Sequence, residues 1–415
     1  MKTNFDIIKE RGYIYQSTNE GAIKKLLNSS CTFYLGIDPT ADSLHIGHFF
    51  ALTLVRRLQQ MGHKAIVLVG GATALVGDPT GKKDMRKILT KEIVDHNKEE
   101  VKQLIKRFVD VEGDNKALIL DNSDWINKET YIDFMRNIGI HFNVNKMLAT
   151  DCYKNRLEEG GLTFLEMGYM LMQAYDFVYL NNKYNCMLEI GGSDQWANMV
   201  AGVELARKID FSNNEPDREL QSLTCPLLVK ADGEKMGKTA SGTLWVSRDK
   251  TSIYDFYQMF INSYDEDVER LLLFFSDIEV SEIKQMCRDN IIEAKKVMAY
   301  EVTKLVHGEE EALKVKKMSE DTFSGNIDNM PTIKLDFNYL KEKVDVKSFL
   351  VDTNICASKS DARRLIEQGG IKLNQEKIAN ANIIINDLVK DGFIIIQKGK
   401  KTHLKVIIGG LNEQL

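Results

Sequence analysis

Short apolar runs alternate with longer amphipathic stretches in the first part of the chain. The runs at 31–37 and 65–69 are β-prone and predict two buried strands. Between them, 44–60 carries apolar residues at helical spacing, and Ser43 is its predicted N-cap. A strand, a helix and a second strand form a βαβ unit, so we expect a Rossmann-like α/β domain around a parallel sheet. Ligands bind such sheets at the carboxyl ends of the strands.

A later helix, predicted at 162–180, is apolar nearly all round and should therefore be buried. Tyr169, Gln173 and Asp176 nevertheless share one of its faces, because they follow each other at helical spacing. Buried polar groups are costly unless they are paired. The three side chains therefore indicate an internally satisfied cluster, a polar stripe that faces solvent, or a pocket for a small zwitterion with its own polar tail.

The second half of the chain changes character twice. The pattern is helical from 251 to 317 and then gives way to turn-forming residues at 318–331. An N-capped helix at 360–368, three strand-like runs and a basic turn with Lys398, Lys400 and Lys401 follow. We therefore expect an α/β domain (1–246) with a helical insertion at about 80–160, a helical domain (247–320), a linker (321–340) and an α+β module (341–415).

Composition narrows the class of protein. The chain has 415 residues, a net charge of −5 and six cysteines that form no Cys-x-x-Cys pair. The negative charge excludes a uniformly basic nucleic-acid binder but leaves room for a local basic face. Scattered cysteines fit the reduced thiols of a cytoplasmic protein better than a disulfide frame or a zinc site. Because no apolar run approaches a membrane span or an export signal, we expect a cytoplasmic protein without membrane contact.

Candidate phosphate chemistry begins just after the first predicted strand. His45, Gly47 and His48 lie at the predicted start of a helix. Helix N-termini favour bound phosphate, and two imidazoles there can donate hydrogen bonds to phosphoryl oxygens. Gly47 permits the close approach of a flat base. The pair alone fits two capping histidines equally well, and it lacks the spacing and the glutamate of a zinc-protease helix.

Two further segments carry basic residues among glycines. The segment after the second strand does not match the Walker phosphate-binding loop. Within it, Asp78 suits an ammonium group, while Lys82 and Arg86 suit either a triphosphate or a solvated loop. Lys235 and Lys238 lie in a second loop and suit a transient contact with phosphate.

Two motifs together resemble the signatures of class I aminoacyl-tRNA synthetases. His45-Ile46-Gly47-His48 matches the first signature fully, and Lys235-Met-Gly-Lys238-Thr departs from Lys-Met-Ser-Lys-Ser at Gly237 and Thr239 but keeps both lysines. Over nearly its whole length the chain resembles bacterial tyrosyl-tRNA synthetases. The resemblance implies activation of L-tyrosine with ATP and Mg²⁺, release of pyrophosphate, and transfer of tyrosine to the 3′ end of tRNA(Tyr). It also implies a homodimer formed through the insertion, a helical domain at the anticodon stem, and a C-terminal RNA-binding module shared with a ribosomal small-subunit protein.

The same resemblance assigns a role to each site residue. The catalytic set stabilises charge on the phosphates and comprises His45, His48, Thr40, Lys82, Arg86, Lys235 and Lys238. The tyrosine set comprises Tyr34 and Asp176 at the phenol, Asp78, Tyr169 and Gln173 at the amino group, and Gln195 near the carboxylate. The ATP set comprises Gly36, Asp38, Gly47, Gly192, Asp194 and Lys238.

Three alternatives stay open. Tryptophanyl synthetases share the class signatures, although Tyr34, Asp176 and the C-terminal module argue against that specificity. Another nucleotidyltransferase with a His-x-Gly-His motif would not need the helical and RNA-binding domains. An RNA-binding or splicing factor derived from a synthetase could have lost the lysines of the loop or the pocket residues, and none of these is missing here.

Overall fold

The computed structural model describes residues 2–80, 88–239, 242–324, 330–390, 392–399 and 402–409. The chain divides into two compact units, one made of 1–252 with 259–306 and the other of 253–258 with 307–415.

The first unit contains a six-stranded sheet. In chain order its strands are β1 (Gln16–Ser17), β2 (Thr32–Ile37), β3 (Lys64–Val69), β4 (Leu118–Asp121), β5 (Cys186–Gly192) and β6 (Gln221–Cys225). They lie in the order β1-β6-β5-β2-β3-β4, and all neighbours are parallel except β1 and β6. The Rossmann-like parallel sheet predicted from the sequence is thus confirmed. Because β2 lies between β5 and β3, its carboxyl end opens at the middle of the edge where ligands bind.

Helices flank the strands. In chain order they are α1 (Asn4–Glu10), α2 (Glu20–Leu27), α3 (Ile46–Gln60), α4 (Thr73–Val76), α5 (Lys91–Ile105), α6 (Ser123–Ile126), α7 (Tyr131–Asn137), α8 (Val144–Leu148), α9 (Asp151–Glu159), α10 (Phe164–Tyr184), α11 (Trp196–Ser212), α12 (Ile253–Ile261), α13 (Asp265–Phe275), α14 (Val280–Asp289), α15 (Ile291–His307), α16 (Glu309–Ser324), α17 (Val346–Asp352) and α18 (Lys359–Glu367).

The start of α3 corrects one prediction. The N-cap is His45 and not Ser43, because the Nδ1 atom of His45 accepts hydrogen bonds from the backbone N–H groups of Gly47 and His48 at 3.1 and 3.3 Å. Ser43 is buried, and its hydroxyl donates to the carbonyl of Leu44. An imidazole nitrogen thus does the work that serine or threonine oxygens usually do at a helix start.

The helix α10 lies where the sequence predicts it, with a shifted boundary. Thr163 and Glu166 form a capping box at its N-terminus, so the helix begins at Phe164 and extends to Tyr184. Its burial is confirmed, since Met170, Ala174 and Phe177 are at most 2% exposed. The buried apolar face leaves its polar residues to be paired by neighbouring elements.

The remaining strands are β7 (Lys238–Thr239), β8 (Gly242–Thr243), β9 (Thr332–Leu335), β10 (Ile371–Leu373), β11 (Glu376–Lys377), β12 (Phe393–Lys398) and β13 (Thr402–Ile408). The pair β7–β8 forms a small ribbon in the first unit, and the other five form one sheet in the second unit.

The second unit confirms the three strand-like runs and the helix of the α+β module. The cap of α18 is Ser358, so this helix begins one residue before the predicted segment. Thr332–Leu335, which lie within the predicted linker, pair with β13 and belong to the sheet. The first residues of that linker continue α16, which ends at Ser324. Lys398 lies in β12 and donates to the carbonyl of Ile355, while Lys400 and Lys401 lie outside the described residues.

Among the described residues, no helix is both long and apolar enough to cross a membrane.

Candidate active site

The central strand of the first unit carries an open position at its carboxyl end. Gly36 of β2 is exposed, and a Cβ atom built on it would meet nothing within 4 Å. A residue in the middle of a six-stranded sheet is normally covered by neighbouring side chains. The opening therefore leaves room for a ligand directly above the central strand.

A hydrogen-bonded chain closes one side of this opening. Asp38, which follows β2, accepts from the hydroxyl of Thr73 at 2.7 Å and from the phenol of Tyr169 at 2.9 Å. Gly70 permits this arrangement, because a Cβ there would lie 2.0 Å from the Asp38 Oδ1 atom. Tyr169 therefore lies beside Asp38, which the sequence assigned to a different ligand.

Asp176 of α10 is a buried carboxyl group with two side-chain donors. It is 3% exposed, and its two oxygens accept from the Nδ2 atom of Asn122 at 3.0 Å and the indole N–H of Trp125 at 2.8 Å. Burial raises the pKa of Asp176 to about 8, and the carboxylates of Asp38 and Glu189 add to this against the effect of the two donors. A carboxyl group with two fixed donors keeps its orientation and retains lone pairs for a further hydroxyl.

Tyr34 and Glu189 face each other across β2 and β5, where their Cα atoms are register partners. They are 1% and 2% exposed, and among the described residues neither the Tyr34 hydroxyl nor the Glu189 Oε2 atom has a hydrogen-bond partner. The other oxygen of Glu189 accepts from the Nε2 atom of Gln173 at 3.0 Å. Burial raises the pKa of Tyr34 well above its usual value, and the Glu189 charge raises it further.

Asp78 is a second buried carboxyl group with a side-chain donor. Its Oδ2 atom accepts from the Nε2 atom of Gln195 at 2.7 Å, and Asn198 donates in turn to the Oε1 atom of Gln195 at 3.2 Å. The structure thus brings together Gln195 and Asp78, which the sequence assigned to the carboxylate and the amino group on the same carbon of tyrosine. Nearby, a Cβ at Gly192 would lie 2.6 Å from the exposed Asp194 carboxylate, so the glycine allows that close approach.

The two histidines at the start of α3 stack on each other. Their ring centroids are 3.7 Å apart with an interplanar angle of 15°. Because Nδ1 of His45 accepts two backbone hydrogen bonds, the proton of the neutral ring is on Nε2. Thr40 lies in the preceding turn, where its backbone N–H donates to the Asp38 carbonyl. Donors therefore gather beside the helix N-terminus, which favours anions.

The loop that contains Lys235 is attached to the start of α3. The Met236 N–H donates to Leu228, and the Val246 N–H donates to Leu44 just before the histidines. Gly237 has a φ angle of +88°, and a Cβ there would lie 2.4 Å from the Cγ2 atom of Ile46. This contact explains why glycine stands where the signature has serine.

The structure describes two of the four basic residues that the sequence assigns to the phosphates. The side chain of Lys235 is exposed, and Lys238 contributes the backbone of β7. Lys82 and Arg86 lie outside the described residues. No group of three His, Cys, Asp or Glu side chains suited to a metal ion is found in the described ranges.

Sequence reasoning missed three residues that complete the pocket. Asn122 and Trp125 belong to the segment after β4, and Glu189 is an acidic residue inside an otherwise apolar strand. The last of these carried a signal, because a charged residue in a buried strand is unusual. Asn122 is a polar residue just after a strand, which is common, and Trp125 is an aromatic residue on α6 with no pattern that points to Asp176.

The fold and the paired histidines define a class of protein. The family model "tRNA synthetases class I (W and Y)" matches residues 26–324. The model "Tyrosine--tRNA ligase SYY-like C-terminal domain" matches residues 322–406. The chain is therefore a class I aminoacyl-tRNA synthetase of the group that handles tryptophan and tyrosine.

Relatives that align over nearly the whole chain indicate which of the two families, tyrosine or tryptophan, the chain belongs to. The Tyrosine--tRNA ligase of Clostridium tetani is 48% identical over 411 residues, which are 97% of this chain and 98% of the relative. That of Fusobacterium nucleatum is 46% identical over 414 residues, or 98% of each chain. A solved mitochondrial tyrosyl-tRNA synthetase from Coccidioides posadasii aligns with a TM-score of 0.67 and 30% identity, over 76% of this chain and 92% of that chain. The chain belongs to the tyrosine–tRNA ligase family, and the tryptophan and RNA-binding-factor alternatives are not favoured.

Proposed function

We propose that the first unit performs tyrosine activation with the residues that line β2, β5 and α10. The tyrosine carboxylate attacks the α-phosphorus of ATP, a carbon–oxygen–phosphorus anhydride forms, and the bond to the β-phosphate breaks as pyrophosphate leaves. Protein side chains form no covalent bond in this step, so catalysis comes from positioning and charge stabilisation. The observation that carries the proposal is the open Gly36 position on β2, the strand that also carries Tyr34 and precedes the two histidines in the chain.

The pocket is proposed to hold tyrosine at both ends. Asp176 accepts a hydrogen bond from the phenolic hydroxyl, and Tyr34 is the second hydrogen-bond partner of the phenol. Asp78, Tyr169 and Gln173 hold the amino group. What supports this is that all five side chains are polar and four of them are at most 7% exposed. Phenylalanine would leave Asp176 and Tyr34 without their partner, at a cost of about 1–3 kcal/mol for each unpaired group.

The nucleotide is proposed to lie over β2 with its phosphates at the start of α3. Gly36, Gly47 and Gly192 allow close approach, Asp194 and Asp38 meet the ribose side, and Gln195 orients Asp78 near the tyrosine carboxylate. His45, His48 and Thr40 donate to the phosphates. Lys235 and Lys238, together with Lys82 and Arg86, neutralise the departing pyrophosphate. Mg²⁺ accompanies ATP, and phosphate oxygens supply most of its ligands.

In the second step, a terminal ribose hydroxyl of tRNA attacks the activated carboxyl group, and AMP leaves. We assign tRNA contacts outside the active site to the helical domain and the C-terminal module, as in the domain division 247–320 and 341–415. The net positive charge of that module supports this, because phosphate contacts dominate the affinity of RNA-binding surfaces. We also propose a cytoplasmic location, which the free cysteines and the reaction itself support.

A homodimer formed through the insertion is part of the proposal. Six large apolar side chains in the insertion and at the start of α10 are between 43% and 75% exposed: Tyr131, Ile132, Ile140, Val144, Phe164 and Leu165. Monomeric proteins rarely expose so much apolar surface in one region, and homo-oligomers usually cover it with a second copy.

The test is exchange of labelled pyrophosphate into ATP with tyrosine, phenylalanine or tryptophan as the amino acid. We expect exchange with tyrosine only. Exchange with tryptophan would overturn the roles of Tyr34 and Asp176. No exchange with any amino acid, from a sample whose thermal unfolding is cooperative, would overturn the proposed activation site.

A further inference from the structure

Glu189 is a buried carboxyl group in the tyrosine pocket to which the two synthetase signatures assign no role. We propose that it is a positioning residue for tyrosine: it orients the Gln173 amide so that the amide oxygen faces the substrate ammonium, and it is the alternative acceptor for the Tyr34 hydroxyl while the pocket is empty. This inference rests on the pocket proposed above.

The position of Glu189 follows from the sheet. It lies in β5 directly opposite Tyr34 of β2, and it is 2% exposed. Its Oε1 atom accepts from the Nε2 atom of Gln173 at 3.0 Å. Gln173 is on α10, so one side chain of β5 contacts the two elements that carry the substrate-binding residues.

The chemistry of the two groups fixes the amide. A carboxylate only accepts hydrogen bonds, so it selects the –NH₂ end of Gln173. The oxygen of that amide then points the other way. An ammonium group has three donors and no acceptor, and it therefore needs this oxygen. With the amide reversed, the –NH₂ group of Gln173 would face the substrate ammonium, and two groups that can only donate would meet.

The second oxygen of Glu189 is available to the phenol of Tyr34. Both atoms are buried, and within the described part of the chain neither has a hydrogen-bond partner. Tyr34 accordingly has two directions for its proton, toward Glu189 or toward a bound phenol. In the empty pocket a carboxylate beside it favours the first; once tyrosine is bound, Tyr34 must donate to the phenol oxygen, because Asp176 already accepts the only proton of the phenol.

The charge state of Glu189 makes this arrangement sensitive to pH. Burial raises the pKa of Glu189 to about 7, while the hydrogen bond from Gln173 and the nearby Tyr34 hydroxyl act in the opposite direction. The titratable groups that face it are Tyr34 from β2, Asp176 from α10 and Cys186 from its own strand. A protonated Glu189 can donate to the amide oxygen of Gln173, so tyrosine binding should weaken as the pH falls through this range.

The experiment compares Glu189→Gln and Glu189→Met by pyrophosphate exchange, with KM measured separately for tyrosine and ATP. Glu189→Met, which offers no oxygen acceptor, should raise the tyrosine KM about tenfold and leave the ATP KM unchanged. Glu189→Gln keeps an acceptor for Gln173 and should raise it only about threefold, because its amide no longer selects one orientation. Between about pH 6 and about pH 9 the tyrosine kcat/KM of Glu189→Gln should be flatter than that of the parent chain.

The matched control is Glu129→Gln, because the Glu129 carboxylate also accepts from a side chain of α10, the Tyr175 hydroxyl at 2.8 Å. It should leave the tyrosine KM and its pH profile unchanged. An unchanged tyrosine KM in Glu189→Met, or equal changes in both KM values, would overturn the inference. So would a Glu189→Gln pH profile identical to that of the parent. Because the parent chain is measured alongside, loss of its exchange would instead overturn the proposed activation site.

Discussion

Replacing Gly237 by alanine should detach the lysine loop from the start of α3. The φ angle of +88° costs a non-glycine residue about 1–2 kcal/mol. In addition, the new methyl group would lie 2.4 Å from Ile46 Cγ2, a distance at which the loop must move. If about 2 kcal/mol of this is lost when the loop closes over the phosphates, the rate of tyrosine activation falls about 30-fold. The tyrosine dissociation constant should not change, because the loop does not contribute to the tyrosine pocket.

A second glycine in the same loop allows the effect of backbone strain to be measured without the effect of the clash with Ile46. Gly233 has a φ angle of +85°, and a Cβ there would meet nothing within 4 Å. Gly233→Ala therefore introduces the same backbone strain without the clash. Single-turnover formation of the adenylate, at saturating tyrosine, measures both variants. The double variant Gly237→Ala/Ile46→Ala removes the clashing methyl group and should recover part of the rate relative to Gly237→Ala. Equal rates for Gly233→Ala and Gly237→Ala, without recovery in the double variant, would refute the proposed contact with Ile46.

Three further outcomes are expected. Trp125→Phe removes the indole donor of Asp176 and should raise the tyrosine KM about tenfold in pyrophosphate exchange without changing the ATP KM, since losing a hydrogen bond to a buried carboxyl group costs about 1.5 kcal/mol; equal shifts in both would contradict this. The folded pKa of Asp176, about 8, exceeds its unfolded value, so the stability contributed by this group is present at low pH and is lost as pH rises toward about 8. Thermal unfolding at about pH 6 and about pH 9 should therefore show a smaller decrease for Asp176→Asn than for the parent, and identical decreases would count against a raised pKa. Ile140→Lys, at a side chain that is 75% exposed, should convert a dimer to monomers in sedimentation equilibrium, whereas Phe211→Lys, at an 84% exposed position on α11, should not; a parent chain that is already monomeric would refute the dimer.

Local patterns were sufficient for the elements of the first unit. The apolar run at 31–37 became β2, and the helical face with Tyr169 and Asp176 became part of the buried α10. These features depend on periodicity and burial, which a short stretch of sequence encodes. The parallel order of the sheet followed because a βαβ unit has one favoured connection.

The partners of the polar groups were not predictable in the same way. Asn122 and Trp125 reach Asp176 from a segment more than fifty positions earlier in the chain, so no local spacing reports the contact. The prediction of the N-cap of α3 was wrong for a different reason. A serine is the usual cap, and only the folded backbone shows that an imidazole two residues later occupies that place.

The open position at Gly36 leaves part of the backbone of β2 uncovered by protein side chains. Every other residue of β2 presents a permanent side chain to its surroundings, whereas here the backbone itself is the surface. A methyl group at this position would occupy space that the proposal assigns to the nucleotide. In the proposed complex, the occupancy of this position is set by the nucleotide concentration around the protein, whereas the space beside a core side chain is always filled.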